Sequence, residues 1–137
     1  MRNHKLLLSV SLLVITACTS PPSAAAGGVL VECERSPSVV GQCFVARGRL
    51  SLYNGTPGFR IWRVGTNQIL GVVDSTGTKS EGPNALLPSS VWKLLKTDVS
   101  TTAIYGDYRV CPLTAAHLGQ MQMVCIASAD NLAVSHP

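Results

Sequence analysis

The chain is poor in the residues that most catalytic sites need. Of 137 residues, three are histidine and seven are Asp or Glu; charged residues make up 13% and aromatic residues 5%. His4 and His136 lie near the two ends, which leaves His117 as the one interior imidazole. No Gly-x-Ser-x-Gly, His-Glu-x-x-His, Gly-x-Gly-x-x-Gly or P-loop pattern occurs. These absences exclude the recognisable serine-hydrolase, zincin, dinucleotide and nucleotide sites. No catalytic residue is assigned and no cofactor is expected. Asp107, between Tyr105 and Tyr108, is the best single polar candidate in a strand. One carboxylate without a partner is not a mechanism, and it reads as a hydrogen-bond anchor or an outward-facing charge.

Long apolar runs are also missing. The longest, residues 6–17, is twelve residues and contains two Ser and one Thr. That is too short to span a bilayer as a helix and fits the apolar region of an export signal, with Arg2, His4 and Lys5 as its basic start. The run ends in Ile15-Thr16-Ala17-Cys18. A branched residue, two small residues and a cysteine resemble the lipobox of bacterial lipoproteins. The resemblance implies acylation of Cys18, cleavage before it, and a partner in the membrane through the lipid. Thr19 in place of aspartate implies, by the enteric pattern, the periplasmic side of the outer membrane. The alternative is an ordinary signal cut after Ala26, where Ala24 and Ala26 form a small-x-small pair, and release to the periplasm. Residues 1–17 are then signal, 18–28 a small, Pro-rich tether, and 29–137 one β-rich domain.

Removing the signal alters the charge. Of eleven Lys and Arg, Arg2 and Lys5 leave with it; nine remain against seven acids, a net of +2. A general nucleic-acid binder carries more, so no nucleic-acid partner is expected. Four cysteines remain besides Cys18: Cys33, Cys43, Cys111 and Cys125. An even count in an exported chain implies two disulfides. Without a Cys-x-x-Cys or a histidine pair, the spacing does not suit zinc, and no metal is expected. Three connectivities are open; loop-closure entropy favours Cys33–Cys43 and Cys111–Cys125, the pairs nearest in sequence.

Residues 43–53 (CFVARGRLSLY) alternate with period two, placing Phe44, Ala46, Gly48, Leu50 and Leu52 on one face and Val45, Arg47, Arg49, Ser51 and Tyr53 on the other. Gly48 suggests a bulge or bend. Turns at 54–58 and 65–67 separate strands at 59–64 and 68–74. A polar loop leads to a short helix at 91–96, with Ser89 or Ser90 as N-cap. Strands at 101–111 and 121–128 follow, and the last nine residues read as frayed. Residues 29–33 read as an additional N-terminal strand. The order β-β-β-α-β-β is that of a small OB-like five-stranded barrel; the alternative is a β-sandwich. The stretches CFVARGRLSLYNGTPGFRIWRVGTNQILGV, YGDYRVCPLT and MQMVCIASADN together resemble small exported bacterial proteins of unknown function, a resemblance that implies no activity.

One charge pattern stands out. Between Glu34 and Asp74 there is no acid, yet Arg35, Arg47, Arg49, Arg60 and Arg63 fall there. Arginine presents a planar fork suited to carboxylates and phosphates. Arg47, Arg49 and Arg60, with Tyr53 and Trp62, are therefore the candidate ligand-binding residues, on a face that OB-type barrels use for oligosaccharides and oligonucleotides. The competing reading is a solvated outer face whose arginine stems cover apolar surface. The expectation is a non-enzymatic envelope lipoprotein, a binding or structural module for an anionic envelope polymer or a partner protein. The alternative is a small envelope hydrolase with an unrecognised site.

Overall fold

A computed structural model describes residues 30–75, 86–95 and 98–135. The export segment, Cys18, the tether and His136 lie outside the described residues, as does most of the polar loop expected after Asp74. The elements are α1 (Leu30–Arg35), β1 (Phe44–Leu52), β2 (Phe59–Arg63), β3 (Ile69–Val72), α2 (Ser89–Leu95), β4 (Ala103–Pro112) and β5 (Gln122–Ser135). The strands close in the order β1-β2-β3-β5-β4 and back to β1. All neighbours are antiparallel except β3 and β5, which run parallel. This is the small OB-like barrel, and it excludes the sandwich. The long first strand closes it, giving residues 48–52 to β2 and 44–50 to β4.

The period-two pattern of β1 is the one that builds the core. Ala46 and Leu50 are buried with Ile61, Leu70, Val72, Ile104, Tyr108, Val110, Val124 and Ile126. Helix α2 adds Val91 and Leu95, four residues apart on one face, to the same cluster. Trp92 packs half-buried against it. The Tyr108 side chain is fully buried, and its hydroxyl donates to the Ile104 carbonyl at 2.7 Å. Burial pushes the phenol well above its ordinary pKa.

Four expectations are corrected. Residues 30–35 form a helix, not an additional strand. Three apolar residues are too few to define a period. The segment is instead fixed as a helical turn against β5 by Cys33, buried beneath it, and by Glu34, which accepts from Arg109 Nε on β4 at 2.5 Å. The last strand does not fray at residue 129 but runs to Ser135, because ten-residue β4 pairs along its whole length, with Ala103 opposite Ser135. The bulges lie on the β4–β5 ladder rather than at Gly48; Asn131 there has φ 52°, and its Nδ2 donates to Asp107 Oδ2 at 2.7 Å. Of the two readings of Asp107, the hydrogen-bond anchor is the one this contact matches. Ser89 is the first helical residue rather than a cap; the Pro88 carbonyl accepts from Val91 and Trp92 N–H.

The disulfides are Cys33–Cys125 and Cys43–Cys111, not the sequence-local pairs. Barrel register decides this. Phe44 is opposite Val110, so Cys43 and Cys111 meet just beyond the last β1–β4 pair, and α1 lays Cys33 over Cys125. Cys111 and Cys125 do lie side by side on the ladder, but backbone pairing already holds them together.

The turn before β4 supplies a pH prediction. The Asp98 carboxylate accepts hydrogen bonds from the hydroxyl and N–H of Ser100 and of Thr101. The Thr101 and Ser100 side chains lower its pKa from 3.8 to about 2. A depressed folded-state pKa contributes stability that is complete above the ordinary value and disappears as pH falls through the folded one. The turn is therefore expected to hold until pH approaches 2. An NMR titration of the Ser100 and Thr101 amides tests this: a midpoint near 3.8 would show that these bonds do not hold the carboxylate.

Candidate functional site

The outward residues of β1, β2 and β3 form one surface, and strand register sets its rows. Tyr105 on β4, Arg49 on β1, Trp62 on β2 and Ile69 on β3 are successive cross-strand partners. A second row runs from Ser51 through Arg60 to Gly71 and Met123. Arg47 lies one step along β1, opposite Asp107. Tyr53 follows β1 and opens the β1–β2 loop, which its N–H closes on the Gly58 carbonyl at 2.8 Å. All five sequence candidates, Arg47, Arg49, Tyr53, Arg60 and Trp62, therefore share this face. Tyr105, 37% exposed, and Ile69, 38% exposed, belong with them. No local signal in the sequence identifies those two; only the register does.

The arginines differ in environment. Among the described residues the one ion pair is Arg109–Glu34, on β4 and α1, four residues along β4 from Tyr105. Arg49 sits 5.8 Å from the Trp62 ring centroid, and its Nη2 donates to the Tyr53 hydroxyl at 3.3 Å. That hydrogen bond raises the Arg49 pKa, with partial burial opposing it. Arg60 stacks 5.2 Å from the Tyr53 ring and donates Nε to the Pro57 carbonyl at 3.0 Å. Arg60 thus organises the β1–β2 loop, whose Gly55 takes φ 105° as the Asn-Gly turn expects. Arg63 leaves the face: it stacks 5.5 Å from the Phe44 ring and donates to Gln68 Oε1. Arg47 is exposed and has no ion pair among the described residues. Cation–π contacts of this kind contribute about 0.5–1 kcal/mol at exposed sites and hold the guanidinium planes in place.

The edge of the face is closed at Gly71. A Cβ there would lie 2.6 Å from Pro57 Cγ, 2.7 Å from Met123 Sδ and 2.8 Å from Met121 Sδ. The β1–β2 loop and the end of the β4–β5 loop meet over β3 at this glycine. Beyond Ile69 a cleft of about 620 Å³ opens between the β2–β3 loop and the β4–β5 loop. His117 lines it, with Asn67, Gln68, Gln120 and Gln122. Among the described residues its lining includes no Asp, Glu, Lys, Arg, Ser or Cys. His117 therefore has no carboxylate or nucleophile beside it among the described lining residues.

The sulfur atoms of Cys33, Cys111 and Cys125 converge within 4.8 Å of one another. All three are oxidised in the two disulfides, so none offers a thiolate to a metal. Among the described residues no helix is long and apolar enough to cross a membrane. Compared with protein-family models, with curated proteins and with solved structures, the chain matches none.

Proposed function

We propose that this chain is a non-enzymatic envelope lipoprotein, held by acyl chains on Cys18, whose β1–β2–β3 face binds an anionic envelope polymer or the acidic surface of a partner protein. The observation that carries the binding half is the arrangement of Arg47, Arg49 and Arg60 beside Tyr53 and Trp62 with no ion pair to any of them among the described residues, Asp107 opposite Arg47 accepting from Asn131 instead. Arg49 is oriented by aromatic neighbours and not neutralised by a carboxylate. Its Nε is buried without a partner and its Nη2 is bonded to Tyr53, so exposed Arg47 offers the whole planar fork to an anion and Arg49 part of one. The cleft beside the face has amides and one imidazole but no nucleophile among its described lining residues, which favours binding over hydrolysis. The lipoprotein half rests on Ile15-Thr16-Ala17-Cys18 at the end of the apolar run. Two exported disulfides agree with that compartment.

Two experiments test the reading. Replacing Arg47 and Arg49 with Gln is expected to lower stability only modestly: exposed Arg47 contributes about 0–1 kcal/mol, and half-buried Arg49 loses one hydrogen bond and one ring contact, about 1 kcal/mol each. The same change should weaken retention on a polyanion such as polyglutamate, with the largest effect at low salt. Unchanged retention would assign the row to solvated surface. Separately, Cys18→Ser should move the protein from the membrane fraction to the periplasmic one. If the Cys18→Ser variant stays on the membrane with its mass otherwise unaltered, the lipid anchor is removed from the proposal.

A further inference from the structure

We propose that the ligand of this face is an acidic glycan, with a charged sugar on Arg47 and Arg49 and the following uncharged sugars crossing Trp62 into the cleft beside Ile69. The inference rests on reading the arginine row as a polyanion site and adds the chemical class of the polymer. Its basis is the change of chemistry across the face. On β1 the surface is cationic and aromatic. Two strands away it becomes a cleft whose polar walls are amides and one imidazole, with apolar Ile69 at the entrance. Trp62 and Ile69 are direct register partners, so the two regions are continuous.

A ligand suited to both regions carries charge at one end and neutral hydrogen-bonding groups at the other. Side-chain amides offer donors and an acceptor together and so match hydroxyl and N-acetyl groups, which also do both. Two of these amides are already oriented: Gln122 Nε2 donates to the Thr114 carbonyl at 3.0 Å, and Gln68 Oε1 accepts from Arg63. Gln122 Oε1 and Gln68 Nε2 have no hydrogen-bond partner recorded among the described residues. Strands lie about 4.8 Å apart, so β1 to β3 spans about 10 Å, the length of a disaccharide. The cleft, at about 620 Å³, falls in the usual range for a small-molecule site. A nucleic acid fits less well, because each nucleotide brings a phosphate and the described lining of the cleft has no Lys or Arg to receive one. An acidic peptide satisfies the arginine row but gives the amide cleft no ring of hydroxyls.

The test titrates the purified, disulfide-intact protein with three probes: an acidic hexasaccharide of one terminal glucuronate followed by five N-acetylglucosamine units, the neutral N-acetylglucosamine hexamer, and polyglutamate. Affinity is read by calorimetry and the footprint by amide NMR. The acidic hexasaccharide should bind most tightly and shift resonances at Arg49, Trp62, Ile69 and His117 together; polyglutamate should shift those of the arginine row alone. Asn67 and His117 are exposed loop residues, so replacing both with Ala should leave the fold intact. That variant should lose about tenfold in affinity for the acidic hexasaccharide, the equivalent of one or two hydrogen bonds, with polyglutamate unaffected. If the cleft variant binds the hexasaccharide as the parent does, or if polyglutamate or an oligodeoxythymidylate binds more tightly and fills the cleft, the glycan assignment fails while the polyanion face stands. If neither acidic probe binds, or the neutral hexamer binds as well as the charged one, the polyanion reading fails with it.

Discussion

Loss of both disulfides should unfold the barrel at 37 °C. The bridges span 92 and 68 residues and are nested, Cys43–Cys111 inside Cys33–Cys125. In the chain-entropy account the inner bridge alone contributes about 4 kcal/mol. Once it is formed, the outer bridge closes only the 24 residues by which the two spans differ, which adds about 3 kcal/mol. The pair therefore contributes about 7 kcal/mol, comparable with the whole stability of a small domain, about 5–15 kcal/mol. Replacing Cys33 and Cys125 together with Ser should cost about 3 kcal/mol and leave a folded, less stable protein. Urea unfolding of that variant, of its Cys43/Cys111 counterpart and of the fully reduced protein gives the three values. A reduced protein that unfolds cooperatively near the parent midpoint would refute this account.

Paired replacement is required because of the sulfur cluster. In Cys33→Ser alone, the Cys125 thiolate would lie within 4.8 Å of Cys111 Sγ. Attack there forms a Cys111–Cys125 bond and expels Cys43 as thiolate, so one bridge is exchanged for another with no net oxidation. A peptide map of the single variant should accordingly recover the cross-strand Cys111–Cys125 pair, the connectivity that sequence proximity favours.

Whatever the sequence could show through local pattern was legible, and whatever depended on register was not. Alternation along residues 43–53 identified both faces of β1 as far as Leu50, because a half-buried strand must present apolar residues every second position; Leu52, at the strand's end, is 38% exposed. The element order then gave the barrel. Residues 30–35 are too short to reveal a period, and their helix depends on a disulfide and an ion pair to residues 75 or more positions away. The disulfide partners were missed for the same reason: loop entropy counts sequence distance, whereas closing the β1–β4 ladder brings Cys43 to Cys111 without regard to it. In the site, residue type and strand phase were enough to gather Arg47, Arg49, Tyr53, Arg60 and Trp62. They could not distinguish Arg60, which braces the β1–β2 loop through Pro57, from Arg47, which is exposed. Tyr105 and Ile69 join the row only through pairing, and the cleft exists only because two loops far apart in sequence come together beside β3.

The binding face should also be sensitive to a residue that lies beneath it. Gly48 faces Arg63 on β2, and a Cβ there would come 2.4 Å from Ile61 Cγ2 and 2.8 Å from the Trp62 carbonyl oxygen. Ile61 is fully buried, so its side chain has no open space into which to swing. Gly48→Ala must therefore move the β2 backbone, and Trp62 moves with it. Replacing glycine in a strand interior ordinarily gains about 0.5–1 kcal/mol from reduced chain entropy. Forcing an extra carbon into a packed core costs about 1–3 kcal/mol or more, and a 2.4 Å approach belongs at the upper end. The net expectation is a loss of about 2 kcal/mol, a fall in Tm of about 10 °C for a domain of this size. Quenching of Trp62 by iodide should change while that of Trp92, packed against the core, does not; single-Trp backgrounds separate the two signals. Polyanion binding should weaken although no arginine has been altered, because Arg49 is oriented against the displaced ring. A Gly48→Ala protein with the parent Tm and parent quenching would mean that β1 and β2 do not pack this closely, and the rigid Arg49–Trp62 platform would lose its structural basis.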